Sequence, residues 1–234
     1  MTKATLTLGV LGGMGPAATL EFLNRVHAYT PAESDQDHIR VIADINPKVP
    51  DRNTPGAGAG EVLAEMAGAL SGAGVQVLAM PCNSAHAHAG MIERASGLPL
   101  IDMIGLGAAA ASRAGVMRAG VLGTRGALRL YREYLAARAM GLVSLPSESQ
   151  EAFMATLYKI KAGDLGGDVR REMAGYAAEL RRQGAEVLIA GCTEAPLALD
   201  KAALQLELID PGDLLARQAV AVCLGWEPIP QGVG

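Results

Sequence analysis

Two cysteines stand in nearly the same surroundings, 110 residues apart. The first lies in Gly74-Val-Gln-Val-Leu-Ala-Met-Pro-Cys82-Asn83-Ser84-Ala85, the second in Gly184-Ala-Glu-Val-Leu-Ile-Ala-Gly-Cys192-Thr193-Glu194-Ala195. Each follows an apolar run and precedes a stretch of helical composition, so Asn83 or Ser84, and likewise Thr193, are candidate N-caps. A thiol placed there meets free backbone amides and the positive end of a helix dipole, which favour thiolate. A lone free cysteine is most often a small buried hydrophobe; a matched pair points to chemistry instead. Two thiols with no Cys-x-x-Cys and no evident metal set suit two-base proton transfer. One thiolate takes a proton from a carbon acid, and the opposite thiol supplies one to the other face, inverting the centre. Such a pair rests as one thiol and one thiolate, because two thiolates repel and two thiols lack a base. Cys223 has no counterpart in the repeat and is read as core.

Substrate-holding candidates keep nearly the same interval. Arg52 lies in the turn-rich run Asn46-Pro-Lys48-Val-Pro-Asp51-Arg52-Asn53, and Lys161, 109 residues later, ends a helical stretch in Tyr158-Lys-Ile-Lys161-Ala-Gly163. Arg offers a bidentate fork and Lys a point charge, a pair able to grip an anion such as a dicarboxylic amino acid. The competing reading makes both solvated surface charges. His86, one helical turn beyond Cys82, either orients Asn83 or the thiolate or packs and satisfies a backbone carbonyl. Glu194 either hydrogen-bonds and tunes the second thiol or is an ordinary carboxylate of a first helical turn.

The elements that must position these residues repeat as well. Gly9-Val-Leu-Gly12 returns as Gly120-Val-Leu-Gly123, and Leu100-Ile-Asp102 as Leu208-Ile-Asp210. One repeat at half the length implies two similar lobes. Strands are predicted over 4–11, 38–45, 75–80, 99–102, 118–123, 142–145, 186–190 and 206–209. Helices are predicted over 17–28, 59–72, 84–96, 104–114, 126–140, 149–162, 168–183 and 213–224. This alternation is the signature of an α/β fold: two lobes, each a parallel sheet flanked by helices, related by pseudo-two-fold symmetry. Lobe one is expected over 1–103, with the C-terminal helix in 209–234 packing back on it, and lobe two over 104–208. Ligands of open α/β sheets bind outside the carboxyl ends of the strands. The loops at Gly12–Pro16, Pro81–Asn83, Gly123–Gly126 and Gly191–Thr193 therefore belong to the functional rim, and the active site is expected in the cleft between the lobes.

Composition narrows the class. The chain has 234 residues, 50% of them hydrophobic, enough for a sizeable core. A formal charge of −4, no basic block and few aromatic residues argue against nucleic acid as partner. Three cysteines without a framework spacing fit a reducing compartment. No run approaches the ~18 apolar residues of a membrane span. The segment from Met1 to Leu11 resembles a short leader, but its Gly-Val-Leu-Gly strand recurs inside the chain. A cytoplasmic protein with no membrane partner is the expectation, with a tail at 228–234 that frays.

Taken together, Gly12-Gly-Met14-Gly-Pro16-x-Ala18-Thr19, Asp51-Arg52-Asn53, Pro81-Cys82-Asn83-Ser84-Ala85-His86, Tyr158-x-x-Lys161-x-Gly163 and Gly191-Cys192-Thr193-Glu194 resemble the aspartate racemase family. That family belongs to the cofactor-independent aspartate/glutamate racemase superfamily. The resemblance implies that Cys82 and Cys192 are the acid/base pair. It implies substrate contacts at Met14, Arg52, Asn83, Ser84, Lys161, Thr193 and Glu194, with Thr124 a further one. It also implies a homodimer that uses neither pyridoxal phosphate nor metal. Ser84 replaces the family's usual Thr, and Ala127 stands where the second glycine loop often has a hydroxyl; both changes bear on specificity.

Rival readings carry less. Gly13-Met-Gly15-Pro-Ala-Ala18 formally fits a dinucleotide fingerprint but lacks an acidic residue about 20 positions on. A metal site of Cys82, His86, His88 and Cys192 matches no structural zinc spacing. Hydantoin racemase or maleate isomerase chemistry, and a non-catalytic two-lobed binder of small anions, remain alternatives. The first reading is interconversion of L- and D-aspartate, with glutamate as a further substrate.

Overall fold

Short aliphatic runs bounded by glycine and proline set the strands. In a computed structural model that describes residues 5–54 and 56–232, the chain divides into two units, Met1–Met103 with Gly212–Gly234, and Ile104–Pro211. The predicted strand start at residue 4, the leader-like residues 1–3 and the last two residues of the tail lie outside the described residues. In the first unit β1 (Leu8–Gly12), β2 (Val41–Ile45) and β3 (Val77–Ala79) form a parallel sheet of order β2-β1-β3. Its helices are α1 (Pro16–Tyr29), α2 (Ala59–Gly72) and α3 (Ala89–Ser96). Next come α4 (Met103–Arg113), β4 (Arg118–Val121), α5 (Arg125–Ala136), β5 (Gly141–Val143) and α6 (Ser147–Lys161). They are followed by α7 (Gly167–Arg182), β6 (Val187–Ile189), α8 (Ala195–Ala198) and β7 (Glu207–Ile209). The second sheet is also parallel, of order β5-β4-β6-β7. The last helix, α9 (Pro211–Cys223), returns to the first unit, where Leu6 N–H donates to the Cys223 carbonyl at 2.9 Å and Tyr29 hydrogen-bonds Asp213.

The repeat extends to strand register. Gly9 stands opposite Leu78 in one sheet, and Gly120 opposite Leu188 in the other. Both glycines are there for space. A Cβ on Gly9 would meet Leu78 and Val75 at 2.8 Å, and one on Gly120 would meet Ala185 at 2.8 Å. Each unit has its own core: Leu11, Leu63, Met66, Leu78, Met80 and Ile92 in the first, Leu122, Phe153, Leu157, Met173, Leu180 and Leu188 in the second. Cys82 packs into the first core and Cys192 into the second.

Two predicted elements change. The strand expected over 99–102 is a single bridge between Leu78 and Leu100, which Leu78 N–H to Pro99 O and Ile101 N–H to Leu78 O hold at 2.9 Å each. Pro99 has no N–H to extend the ladder, and Met103 already begins α4. The helix expected over 84–96 is a 3₁₀ turn over Ser84–His88 followed by α3. An α-helix starting at the cysteine would use the Cys82 carbonyl as acceptor for the His86 N–H. The His86 ring occupies that carbonyl at 2.9 Å, so the His86 N–H turns to the Asn83 carbonyl at 3.1 Å. No helix among the described residues is long and apolar enough to cross a membrane.

Candidate active site

Each cysteine lies three residues beyond the end of a matched strand, Cys82 after β3 and Cys192 after β6. Both are buried, 5% and 6% exposed. The helix behind Cys82 opens as a 3₁₀ turn and the one behind Cys192, α8, is only four residues long, and neither start has a side-chain cap. Asn83 occupies the cap position of the first and Glu194 that of the second. The environment of each thiol is therefore set by its neighbouring side chains.

In the first unit Cys82 Sγ lies 3.7 Å from Ser84 Oγ, and Asn83 and Ser84 are both buried. His86 does not reach the thiol; it secures the backbone around it. Its Nδ1 is 2.9 Å from the Cys82 carbonyl, and its Nε2 receives the Met103 N–H at 3.3 Å and lies 3.4 Å from the Ile101 carbonyl. Burial holds the ring below its ordinary pKa, against the carbonyls of Cys82 and Ile101 and the charge of Asp102. A neutral ring protonated on Nδ1 satisfies both the Cys82 carbonyl and the first amide of α4. This is the packing role, not the thiolate-orienting one.

The glycine loop after β1 is fixed by close approach. Gly13 has φ +94°, and a Cβ there would stand 2.4–2.6 Å from the backbone of Asn46. Thr19 Oγ accepts the Gly13 N–H at 2.9 Å and donates to the Gly15 carbonyl at 3.0 Å. Met14 buries its side chain in the core, and its carbonyl accepts from Arg52 at 3.4 Å. The same guanidinium donates to the carbonyls of Val49 and Pro50 at 3.3 and 3.1 Å, while its buried Nε has no partner among the described residues. Arg52 is thus a half-buried cation held by backbone carbonyls, which leaves its charge for an anion.

The second unit is built differently. Cys192 Sγ donates to Glu194 Oε2 at 2.9 Å, and Lys161 Nζ donates to Glu194 Oε1 at 2.8 Å. Thr193 Oγ lies 3.3 Å from Oε2 as well. Glu194 is 2% exposed and Lys161 26%. Burial works to raise the Glu194 pKa, but the Lys161 charge and the bonds from Cys192 and Lys161 outweigh it and hold the carboxyl below its usual range. Burial and the Glu194 charge push the Cys192 thiol well above its ordinary value, against the pull of Lys161. Lys161, expected as a substrate cation, has Glu194 as a built-in partner. Glu194 resolves to the reading in which it binds the second thiol.

Thr124 is placed as a helix cap: its hydroxyl accepts the Ala127 N–H at 3.3 Å at the start of α5. Sequence reasoning missed Gln150, a buried amide that donates to the Gly123 carbonyl at 3.0 Å while its Oε1 has no partner among the described residues. Gly123 in turn abuts Gly191, the residue before Cys192, so closely that a Cβ would meet the Gly191 carbonyl at 2.9 Å. Gln150 and Lys161 lie three turns apart on α6, one gripping each loop. The signal was available: Gln150 is a polar residue on the face that also carries Phe153, Leu157 and Ile160. Among the described residues no three His, Cys, Asp or Glu side chains gather as a metal set.

Comparison with known proteins agrees with this architecture. Residues 11–219 match the Asp/Glu/Hydantoin racemase family. The chain is 24% identical to the broad specificity amino-acid racemase RacX of Bacillus subtilis (strain 168), over 94% of this chain and 99% of that protein. It is 31% identical to a glutamate racemase of Pseudomonas aeruginosa, over 85% of this chain and 75% of that one. Among solved structures it is similar to Picrophilus torridus aspartate racemase, with a TM-score of 0.78 and 25% identity over 94% of both chains. The chain belongs to the Asp/Glu/Hydantoin racemase family and is a racemase.

Proposed function

We propose that this racemase interconverts L- and D-aspartate, with glutamate as a further substrate, by proton transfer between Cys82 and Cys192. The observation that carries the reading is the matched position of the two thiols, each buried three residues beyond a strand that pairs in the same register with its Gly-Val-Leu-Gly neighbour. A reaction whose two directions are mirror images has a use for two such groups. One thiolate removes the α-proton, and the other thiol returns a proton to the opposite face, so proton number is conserved in each turnover. The proposal requires both thiols to address one carbon.

In this scheme Arg52 and Lys161 bind the two carboxylates. The Arg52 guanidinium is anchored by carbonyls that neutralise none of its charge, and Lys161 is a partly buried ammonium held beside Cys192 by Glu194. Asn83, Ser84 and Thr193 serve the ammonium or carboxylate groups from beside the thiols, and the Met14 carbonyl orients Arg52. A homodimer in the cytoplasm belongs to the same proposal, and sedimentation at micromolar concentration tests the dimer.

The test is proton NMR of L-aspartate in D₂O with purified protein and no added cofactor, with parallel samples of glutamate, a hydantoin and maleate. Loss of the α-proton signal with D-aspartate appearing supports the reading. Turnover of the hydantoin or maleate alone replaces the substrate, and binding without exchange in any sample replaces catalysis by anion binding.

A further inference from the structure

We propose that the two thiols are not equivalent at rest: Glu194, backed by Lys161, holds Cys192 as the proton donor, so Cys82 is the resting base. This rests on the two-thiol reading above and assigns its polarity. The geometry carries it. A carboxylate oxygen can only accept, so at 2.9 Å from Glu194 Oε2 the Cys192 sulfur must carry the hydrogen. Glu194 keeps its charge despite being 2% exposed because Lys161 donates to its other oxygen at 2.8 Å. A thiolate at Cys192 would set two anions side by side in a dry site. Cys82 has the opposite kind of neighbour. Ser84 Oγ, 3.7 Å from its sulfur, is a hydroxyl that can turn its proton toward a thiolate or away from it.

Glu194 is thus a positioning residue that acts through Cys192, not a group that touches substrate. In the first half-turnover Cys82 takes the α-proton and Cys192 gives up its own, which breaks the S–H bond to Glu194. The thiolate so formed faces the carboxylate, which favours recapture of a proton by Cys192 and return to the resting form. Lys161 lies within reach of that charge and limits the penalty. Because the enantiomers have equal free energy, this polarity cannot favour one direction in kcat/KM; it shows in the thiols themselves.

The experiment is alkylation of the free enzyme by iodoacetamide, with each cysteine followed by peptide mass spectrometry, in wild type and Glu194→Gln. The two cysteine residues are buried to nearly the same degree, 5% and 6% exposed, so the rates report thiolate character. At pH 7.5 Cys82 is expected to react at least tenfold faster than Cys192, and in Glu194→Gln the ratio falls several-fold toward parity. In wild type alone, Cys192 alkylation should rise about tenfold per pH unit from 7 to 9 without levelling, which decides the matter if the variant does not fold. Cys192 reacting as fast as Cys82 at neutral pH, a plateau of its rate below pH 9, or an unchanged ratio in a folded Glu194→Gln would each overturn the proposal. Labelling reads protonation without turnover. An asymmetric pattern in a protein that leaves aspartate unchanged would remove the substrate assignment and keep this one.

Discussion

The two cysteine loops share a strand, an offset and a burial, and differ in what stands two residues on. Ser84 follows Cys82 at that position and Glu194 follows Cys192. One neighbour can donate or accept, while the other, ionised by Lys161, only accepts. The repeat gives the two cysteines matched positions in their own units, and the departure from it is what, on the proposed polarity, gives each a different resting role. The cations follow the same division. Arg52 is seated on backbone carbonyls in the first unit, whereas Lys161 is tied to a carboxylate in the second.

Replacing the cations separates their duties most strongly. Lys161→Met should lower kcat/KM for aspartate by about 100-fold or more, removing both the proposed substrate contact and the partner of buried Glu194. It should also cost up to about 3 kcal/mol of stability, since an ion left buried without its partner is expensive. Arg52→Lys keeps the charge but loses the fork. It should raise KM about tenfold and leave the relative alkylation of the two cysteines unchanged. Steady-state kinetics and denaturant titration read both variants; equal effects on thiol reactivity would erase the distinction between the two cations.

His86 comes next. Removing its ring leaves the Cys82 carbonyl and the Met103 amide without their partner, and His86→Ala should lose about 1–3 kcal/mol. The pH dependence has a definite sign. Burial depresses the native pKa, so the native state binds fewer protons than the unfolded chain below about pH 6.5. The stability His86 contributes is complete above that pH and is lost as pH falls toward the depressed value. The alanine variant should lack that slope in a series of denaturant titrations from pH 7.5 to 5. A parallel slope in both proteins would assign the acid sensitivity elsewhere.

Cys223 gives the smallest effect. It is fully buried on α9 and pushed up to about 12 by burial, so it is inert as a nucleophile. Cys223→Ala should cost about 1 kcal/mol and leave racemisation rates within twofold. A larger rate loss would make it a third participant.

Much of this was legible in the chain. Helix α2 occupies its predicted bounds because Gly58 and Gly74, both at positive φ, bracket it. The parallel sheets followed from strands alternating with amphipathic stretches, and the position of Cys82 and Cys192 from the repeat. What was hidden lay in side chains crossing between elements. No local pattern says that the His86 ring will take the Cys82 carbonyl and turn a helix into a 3₁₀ segment, or that Lys161, thirty-three positions away, will reach Glu194. Thr124 is read in sequence as a further substrate contact, and the geometry of α5 adds a second use for its hydroxyl, as the helix cap.

The central claim, one resting base and one resting acid, is tested most directly by deuterium uptake in the single-thiol variants. Cys192→Ser and Cys82→Ser are each incubated with one aspartate enantiomer at a time in D₂O at pH 7.5. Cys192→Ser should exchange the α-proton of a single enantiomer without inverting it, because Cys82 takes the proton and returns a deuteron to the same face. Cys82→Ser, whose remaining sulfur is held protonated by Glu194, should exchange the other enantiomer at least tenfold more slowly. Equal exchange by the two variants would contradict the account.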